Sequence, residues 1–285
     1  MMDKYLIVTD TTSAIDKLAA DKYGIELVSL SVIINGNEYK DQIDMTTEEL
    51  YEKLNEGHVP STSQPNQGYI QDLMTKWKEA NYEAIIIITC SKDLSGTWSA
   101  FNLAKESTGL DNVYIVDSRQ VGSPIMDMVF RAKDLAEQGV SVEDIIGAIN
   151  KKSDNSFSFL YPENFSQLKK SGRLSPAAVG IATMFKIKAL LYLKEDGSCV
   201  EKFAMSRTES KILGSVIEKF KSLGVNAKEH VIYLAHANNL ERANRIKEIL
   251  GNHFENMEFV ISSLPAVLTC HGGLGCVAIH STYKV

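Results

Sequence analysis

The chain has 285 residues, 30 Lys plus Arg against 36 Asp plus Glu for a formal net charge of −6, and is 44% hydrophobic and 23% charged. That length fits two ordinary domains or one large one, and that composition belongs to a folded chain with a sizeable core rather than a disordered one. The acidic excess holds no basic cluster for nucleic acid, no apolar run approaches the roughly 20 residues of a membrane span, and the start Met1–Tyr5 shows no secretion signal, so a cytoplasmic location is expected.

Three runs in the first half, Tyr5–Thr9, Ala84–Ile88 and Val113–Val116, are continuous rather than alternating. That is the pattern of strands buried on both faces of a parallel sheet. Leu27–Tyr39, with Asn35-Gly36 as a tight turn, adds a strand or hairpin. Thr46 and Glu49 form a capping box for a helix through Leu50 and Leu54. Ile70, Leu73, Met74 and Trp77, then Met126, Val129 and Phe130, recur at helical spacing. Residues 1–155 therefore predict a three-layer α/β/α domain with a mainly parallel sheet, and Lys151–Ser156 is the candidate linker.

The second half, 156–285, predicts a two-layer α+β domain with a ligand cleft against the first. Phe157, Phe159 and Tyr161 alternate as in a strand, and Ile187–Leu193 with Cys199–Met205 read as a hairpin turning at Asp196-Gly197. Helices follow at Ile212–Phe220 and at Leu240–Leu250, the latter capped by Asn238. Strands lie at Val231–Leu234, Phe259–Ile261 and Val277–Ile279.

Four segments carry candidate chemistry. Ser95-Gly96-Thr97 stands where a loop enters a helix, a place where hydroxyls and free N–H groups favour an anion; a plain N-cap reads the same way. Pro60–Pro65 brings Thr62 and Ser63 to the start of the next helix, as ligand contacts or as caps. In Ser171–Ser175, Gly172 ends one helix and Ser175 caps another, which leaves Arg173 on a corner as a solvated charge, an interdomain pair or a ligand contact. In Cys270–Cys276, three glycines flank His271, which alone reads as structural. Cys270, His271, Cys276 and His280 are zinc-type residues at no common zinc spacing, so the cysteines read as buried small hydrophobes and no metal is expected. Hydrolase, paired-carboxylate and phosphate-loop signatures are lacking, and no catalytic residue or cofactor is assigned.

Taken in order, Ile7–Thr12, Thr62-Ser63-Gln64-Pro65, Leu94-Ser95-Gly96-Thr97, Val116-Asp117-Ser118, Gly172-Arg173-Leu174-Ser175 and His271 with Gly273 and Gly275 resemble the motifs of the DegV family over nearly the whole chain. Two positions depart from it, Ala189 after Lys188 where proline is usual and Leu274 within the glycine tail. The resemblance implies a non-enzymatic carrier that encloses a long-chain fatty acid between two domains. It implies that Thr62 and Ser95 hold the carboxylate, with Gly96 and His271 beside them and Ser63 and Arg173 in support. It also implies a separate fatty acid kinase subunit as partner, which phosphorylates the bound acid and is faced by Arg207. A transient contact with a membrane surface is compatible with this reading. The apolar stretch Ala177–Phe185 offers the acyl chain a home. The competing expectation is a stand-alone enzyme acting on a small carboxylate or phosphorylated substrate.

Overall fold

The computed structural model describes residues 4–180 and 187–284. Its first sheet has four parallel strands in the order β2-β1-β6-β7, namely Ile25–Val28, Tyr5–Asp10, Ala84–Thr89 and Val113–Asp117. Successive side chains of a strand point to opposite faces, and here both faces are apolar. Ile7, Ile86 and Ile88 meet α5 (Ser123–Glu137) and α6 (Val142–Asp154) through Met128, Val129, Ile145 and Ile149. Leu6, Val8, Ile85 and Ile87 meet α3 (Gln67–Ala80) and α4 (Thr97–Thr108) through Ile70, Leu73, Met74 and Phe101. The three layers are those the continuous β-branched runs imply.

The second sheet is mixed and has six strands in the order β10-β9-β8-β13-β11-β12. These are Val200–Ser206, Lys188–Leu193, Phe157–Tyr161, Val277–Tyr283, His230–His236 and Glu258–Ser263. One face packs Phe159, Leu190, Ile232 and Ile279 on α9 (Glu209–Ser222) and α10 (Leu240–Gly251). On the other face Ser158 and His280, partners in the β8–β13 ladder, turn with Leu160 and Ala278 toward the first half.

A third sheet is small. The hairpin β3–β4 (Ser31–Ile34, Asn37–Lys40) turns at Asn35 and Gly36, both at positive φ as a two-residue hairpin turn requires. The strand β5 (Ser61–Ser63) then adds to β3 and pairs Thr62 with Val32. This sheet and α2 (Thr47–Asn55) do not pack on the parallel sheet. Leu30, Val32, Ile34 and Leu50 share a core with Ala266, Val267 and Cys270, while Tyr51 packs against Ala235, Leu264 and Cys276. The helix carrying Ala266 and Cys270 is α11 (Ala266–Gly272).

Three expectations shift. Most of Lys151–Ser156 is the last turn of α6 rather than a linker. Burial continues through Lys152 and Ser153, whose side chains bond Asp127, the Tyr283 carbonyl and the Ser118 carbonyl. The cap of α10 is Asn239, not Asn238, which precedes it in a left-handed conformation with φ 52°. The Asn239 side chain instead accepts the Arg242 N–H at 3.1 Å. The apolar stretch expected over 177–185 begins as α8 (Pro176–Val179), and beyond residue 180 it lies outside the described residues.

One contact between the halves depends on a glycine. Ser91 Oγ donates to the Gly197 carbonyl at 2.7 Å, and Gly197 has a φ of 75°. A Cβ there would stand 2.9 Å from the Arg119 Cα, the Arg119 carbonyl oxygen and Ser91 Oγ. Gly197→Ala is therefore expected to cost about 2–3 kcal/mol, from the left-handed backbone and the collision together. Urea unfolding checks this, and a loss below about 0.5 kcal/mol would show that the turn relaxes freely.

Candidate functional site

A cavity of about 460 Å³ lies where the three sheets meet, inside the range of about 300–1,000 Å³ typical of small-molecule sites. Most of its wall is apolar. The first half gives Leu30, Cys90 and Val121, and the second half gives Leu160, Leu168, Leu193, Val200, Leu264, Val267 and Leu268. At one end the wall becomes polar: Thr62, Ser63, Gln64, Ser95, Gly96, Arg173 and His271 gather there. The four segments singled out in the sequence thus meet although up to 209 positions separate their residues. These polar residues are half-buried or, for Gln64, exposed, whereas Thr12, Cys90, Ser158 and His280 of the same wall are buried.

Thr62 reaches this end because β5 is fixed to the small sheet. The helix that follows is capped by Asn66, whose side chain accepts the N–H groups of Gly68 and Tyr69. Thr62 is free of a capping role, and its Oγ1 lies 2.8 Å from His271 Nε2. Ser63 turns back on the Gln64 carbonyl at 3.1 Å.

Ser95 precedes α4, whose N-cap is Gly96, a residue with no side chain to cap the first turn. Ser95 Oγ lies 2.9 Å from Thr97 Oγ1 and accepts the Thr97 N–H at 3.3 Å. The helix N-terminus adds its dipole to these donors, a setting that favours negative charge. A Cβ on Gly96 would fall 1.7 Å from Gln64 Oε1, so the glycine is what lets the Gln64 side chain lie across this end of the cavity.

Arg173 is tied to the first half of the chain rather than left solvated. Gly172, at φ 71°, closes α7 (Ser166–Ser171), and Ser175 caps the next helix by accepting the Ala178 N–H. On this corner Arg173 Nε donates to the Leu94 carbonyl of the other half at 3.0 Å, and another guanidinium nitrogen bonds the Ser171 carbonyl. His271 sits in the last turn of α11, and burial, helped by the Arg173 charge, pushes it down to about 4. It is neutral at physiological pH. The glycines after it serve the backbone: Gly273 and Gly275 both have φ 77°, and the Gly275 carbonyl is held at 2.7 Å by Arg242, a buried arginine that also pairs with Glu163. Arg207 is exposed, ahead of α9 and away from the cavity. Ala189 is buried against Leu168 and Leu191, and Leu274 packs beside Cys276; both departures serve packing behind the wall.

One buried carboxyl was not legible in the sequence. Asp41 lies behind the wall formed by Leu30 and Val267, 0% exposed, and its carboxyl faces the Thr11 hydroxyl and the backbone N–H groups of Gln42 and Val267 without a well-formed hydrogen bond to any of them among the described residues. Burial pushes it up to about 7. Gln64, Phe159 and His280 were also missed as wall residues, since each reads locally as an ordinary loop or strand position. No cluster of three metal-ligating side chains occurs among the described residues, and no helix among them is long and apolar enough to cross a membrane.

The sequence profile described as "Uncharacterised protein, DegV family" matches residues 4–284. A DegV domain-containing protein of Halalkalibacterium halodurans is 29% identical over 280 residues, 98% of each chain. Among solved structures, DegV of Bacillus subtilis, described as a fatty acid binding protein, superposes with a TM-score of 0.84 at 27% identity over 99% of both chains. A DegV family protein from Thermus thermophilus, described by its fatty acid binding, gives a TM-score of 0.84 at 25% identity over 98% of this chain and 99% of that one.

Proposed function

The chain belongs to the DegV family, and we propose that it binds a long-chain fatty acid and presents the carboxyl end to a partner kinase. In this reading the chain divides near residue 155 into two domains, and the cavity between them encloses the acyl tail. The observation that carries it is the polarity of that cavity: one apolar wall built from both halves, with hydroxyl, imidazole and guanidinium donors gathered at its partly exposed end.

The energetics suit such a ligand. Each buried methylene contributes about 0.8 kcal/mol, so a chain of some fifteen carbons offers on the order of 10 kcal/mol before the costs of association. The carboxylate must then be satisfied without a large desolvation loss. A neutral His271 carrying its proton on Nε2 donates to Thr62 Oγ1, which turns the threonine hydroxyl proton toward the ligand. Ser95 Oγ and the N-terminal turn of α4 supply further donors, and Arg173 supplies a charge held in place by the Leu94 carbonyl. Charge-assisted bonds of this kind are about twice as strong as neutral ones. Exposure of Gln64 beside Gly96 leaves this end within reach of a second protein, and Arg207 on the surface is assigned to that contact.

Native mass spectrometry of the purified chain tests the reading. A co-purifying acid, or uptake of added palmitic or oleic acid at one per chain, is the expected result. Absence of both, or turnover of a small carboxylate by this chain alone, would overturn it.

A further inference from the structure

The parallel sheet ends on a bare edge. Strand β7 is the last of its four strands, and its residues alternate between the neighbouring strand and the open side. The Asn112 carbonyl accepts from Ile85 of β6, and Val116 and Ser118 face β6 through their bonds to Thr89. Val113, Ile115 and Asp117 therefore aim their N–H and C=O groups outward. Among the described residues those of Ile115 and Asp117 have no partner, and the Val113 carbonyl has only Lys105 Nζ at 2.7 Å. A groove of about 560 Å³ follows this edge, walled by Trp98, Asn102 and Lys105 of α4 and by Ile146 of α6. Tyr114 and Ile115 at its base are half-buried. No proline, bulge or central charge blunts the strand, and an edge of this kind is a template for pairing with another strand.

We infer that two copies of the chain join along this edge, β7 pairing antiparallel with β7 of the second copy about a twofold axis through Ile115. The register is self-complementary. Ile115 exchanges both bonds with its counterpart, and Val113 exchanges both with Asp117 of the second copy, as in the closely spaced pairs of an antiparallel ladder. Charge fits as well. Val113 and Ile115 pack on the α4 side of the sheet, so Asp117, two residues further on, projects to that side too. Its Oδ1 accepts the Lys92 and Arg119 N–H groups at 3.2 and 2.9 Å, whereas Oδ2 has only Lys92 Nζ, at 3.9 Å, among the described residues. Lys105, beside Val113 on the same side, lies opposite Asp117 of the second copy, and the symmetry makes that pair twice. A foreign strand of arbitrary sequence brings no carboxylate to Lys105 at this register. The dimer leaves the cargo sites open, because the head-group loops follow the carboxyl ends of the strands and antiparallel joining sets those ends apart. The inference stands independently of the ligand.

Sedimentation equilibrium of the purified chain is expected to show a reversible dimer, and two variants locate it. Ile115→Pro removes an N–H that points outward, since the ladder to β6 runs through Tyr114 and Val116, and an edge strand tolerates proline in that orientation. Lys105→Glu sets a carboxylate against Asp117 of the other copy at both symmetry-related positions. Each is expected to raise the dimer dissociation constant at least about tenfold while thermal melting still reports a folded protein. A wild type that stays monomeric up to its solubility limit would overturn the inference and leave the edge to a strand of another protein. A dimer that both variants leave intact would overturn it too. Should Ile115→Pro not fold, hydrogen exchange in the wild type decides instead. The Ile115 amide is expected to gain protection as protein concentration rises, with Tyr114 and Val116 protected throughout, and Ile115 exchange that ignores concentration counts against the proposal.

Discussion

The double variant Thr62→Val/Ser95→Ala is expected to bind fatty acid roughly 10²–10⁴-fold more weakly than the wild type. A hydrogen bond to a charged acceptor is worth about 1.5–3 kcal/mol, so losing two amounts to roughly 3–6 kcal/mol, and each 1.4 kcal/mol is tenfold. Valine keeps the shape of threonine on β5, and the pairing of β5 with β3 uses only backbone groups, so the fold should persist. The single variants separate the two contributions. Thr62→Val also strands His271 Nε2, whose hydroxyl neighbour at 2.8 Å is removed, and should weaken binding more than Ser95→Ala. Displacement of a fluorescent fatty acid measures the affinity, and thermal melting of the ligand-free protein controls for folding. An affinity within threefold of the wild type would remove both residues from carboxylate recognition.

Stability that declines between pH 4 and pH 7 is expected from Asp41, and Asp41→Asn should abolish that decline. Burial raises its folded-state value from 3.8 to about 7. Below about pH 4 the carboxyl is protonated in both states and contributes no difference. As the pH rises, the unfolded chain releases the proton while the folded chain retains it, so stability present below the unfolded value is lost until the pH passes about 7. A shift of that size corresponds to about 4 kcal/mol at 1.36 kcal/mol per pH unit. Asparagine fits the same space and carries no charge, so the variant should exceed the wild type in stability at pH 8 and match it near pH 4. Buried His271 and His280, both held neutral, act in the opposite direction below about pH 6.5. The informative quantity is therefore the difference between the two proteins at each pH. A difference that stays flat from pH 4 to pH 8 would show that Asp41 is solvated in the folded protein.

The parallel sheet was legible because its strands are continuous apolar runs, a signal carried by each segment alone. The corner at Arg173 was legible for the same kind of reason: Gly172 and Ser175 act on the backbone next to them. What escaped depends on distant partners. The strand β5 is three polar residues with no hydrophobic period, and it exists because β3, some thirty positions earlier, offers a free edge. The helix α11 has seven residues, too few to be stable by itself; packing against Leu30, Val32 and Leu50 holds it. The candidate site divides in the same way. The polar segments could be named from hydroxyls and glycines, but the bond between Thr62 and His271 needs β5 and α11 together. The place of His280 in the wall needs the ladder between β8 and β13, and no local pattern around residue 280 announces it.

The small sheet keeps its core with α11 and not with the parallel sheet, so the two polar lips of the cavity belong to different packing bodies. Thr62 and His271 ride together on one, and Ser95 with Gly96 rides on the other. Between them runs a seam closed by the Gln64 side chain over Gly96 and by the Arg173 bond to Leu94. Opening that seam takes a rotation of Gln64 and loss of the Arg173–Leu94 bond, while the Ser91–Gly197 bond still joins the two halves elsewhere. For the carrier proposed above, substitution at Gln64 is expected to change the rate of ligand exchange more than stability, and substitution at Gly197 the reverse.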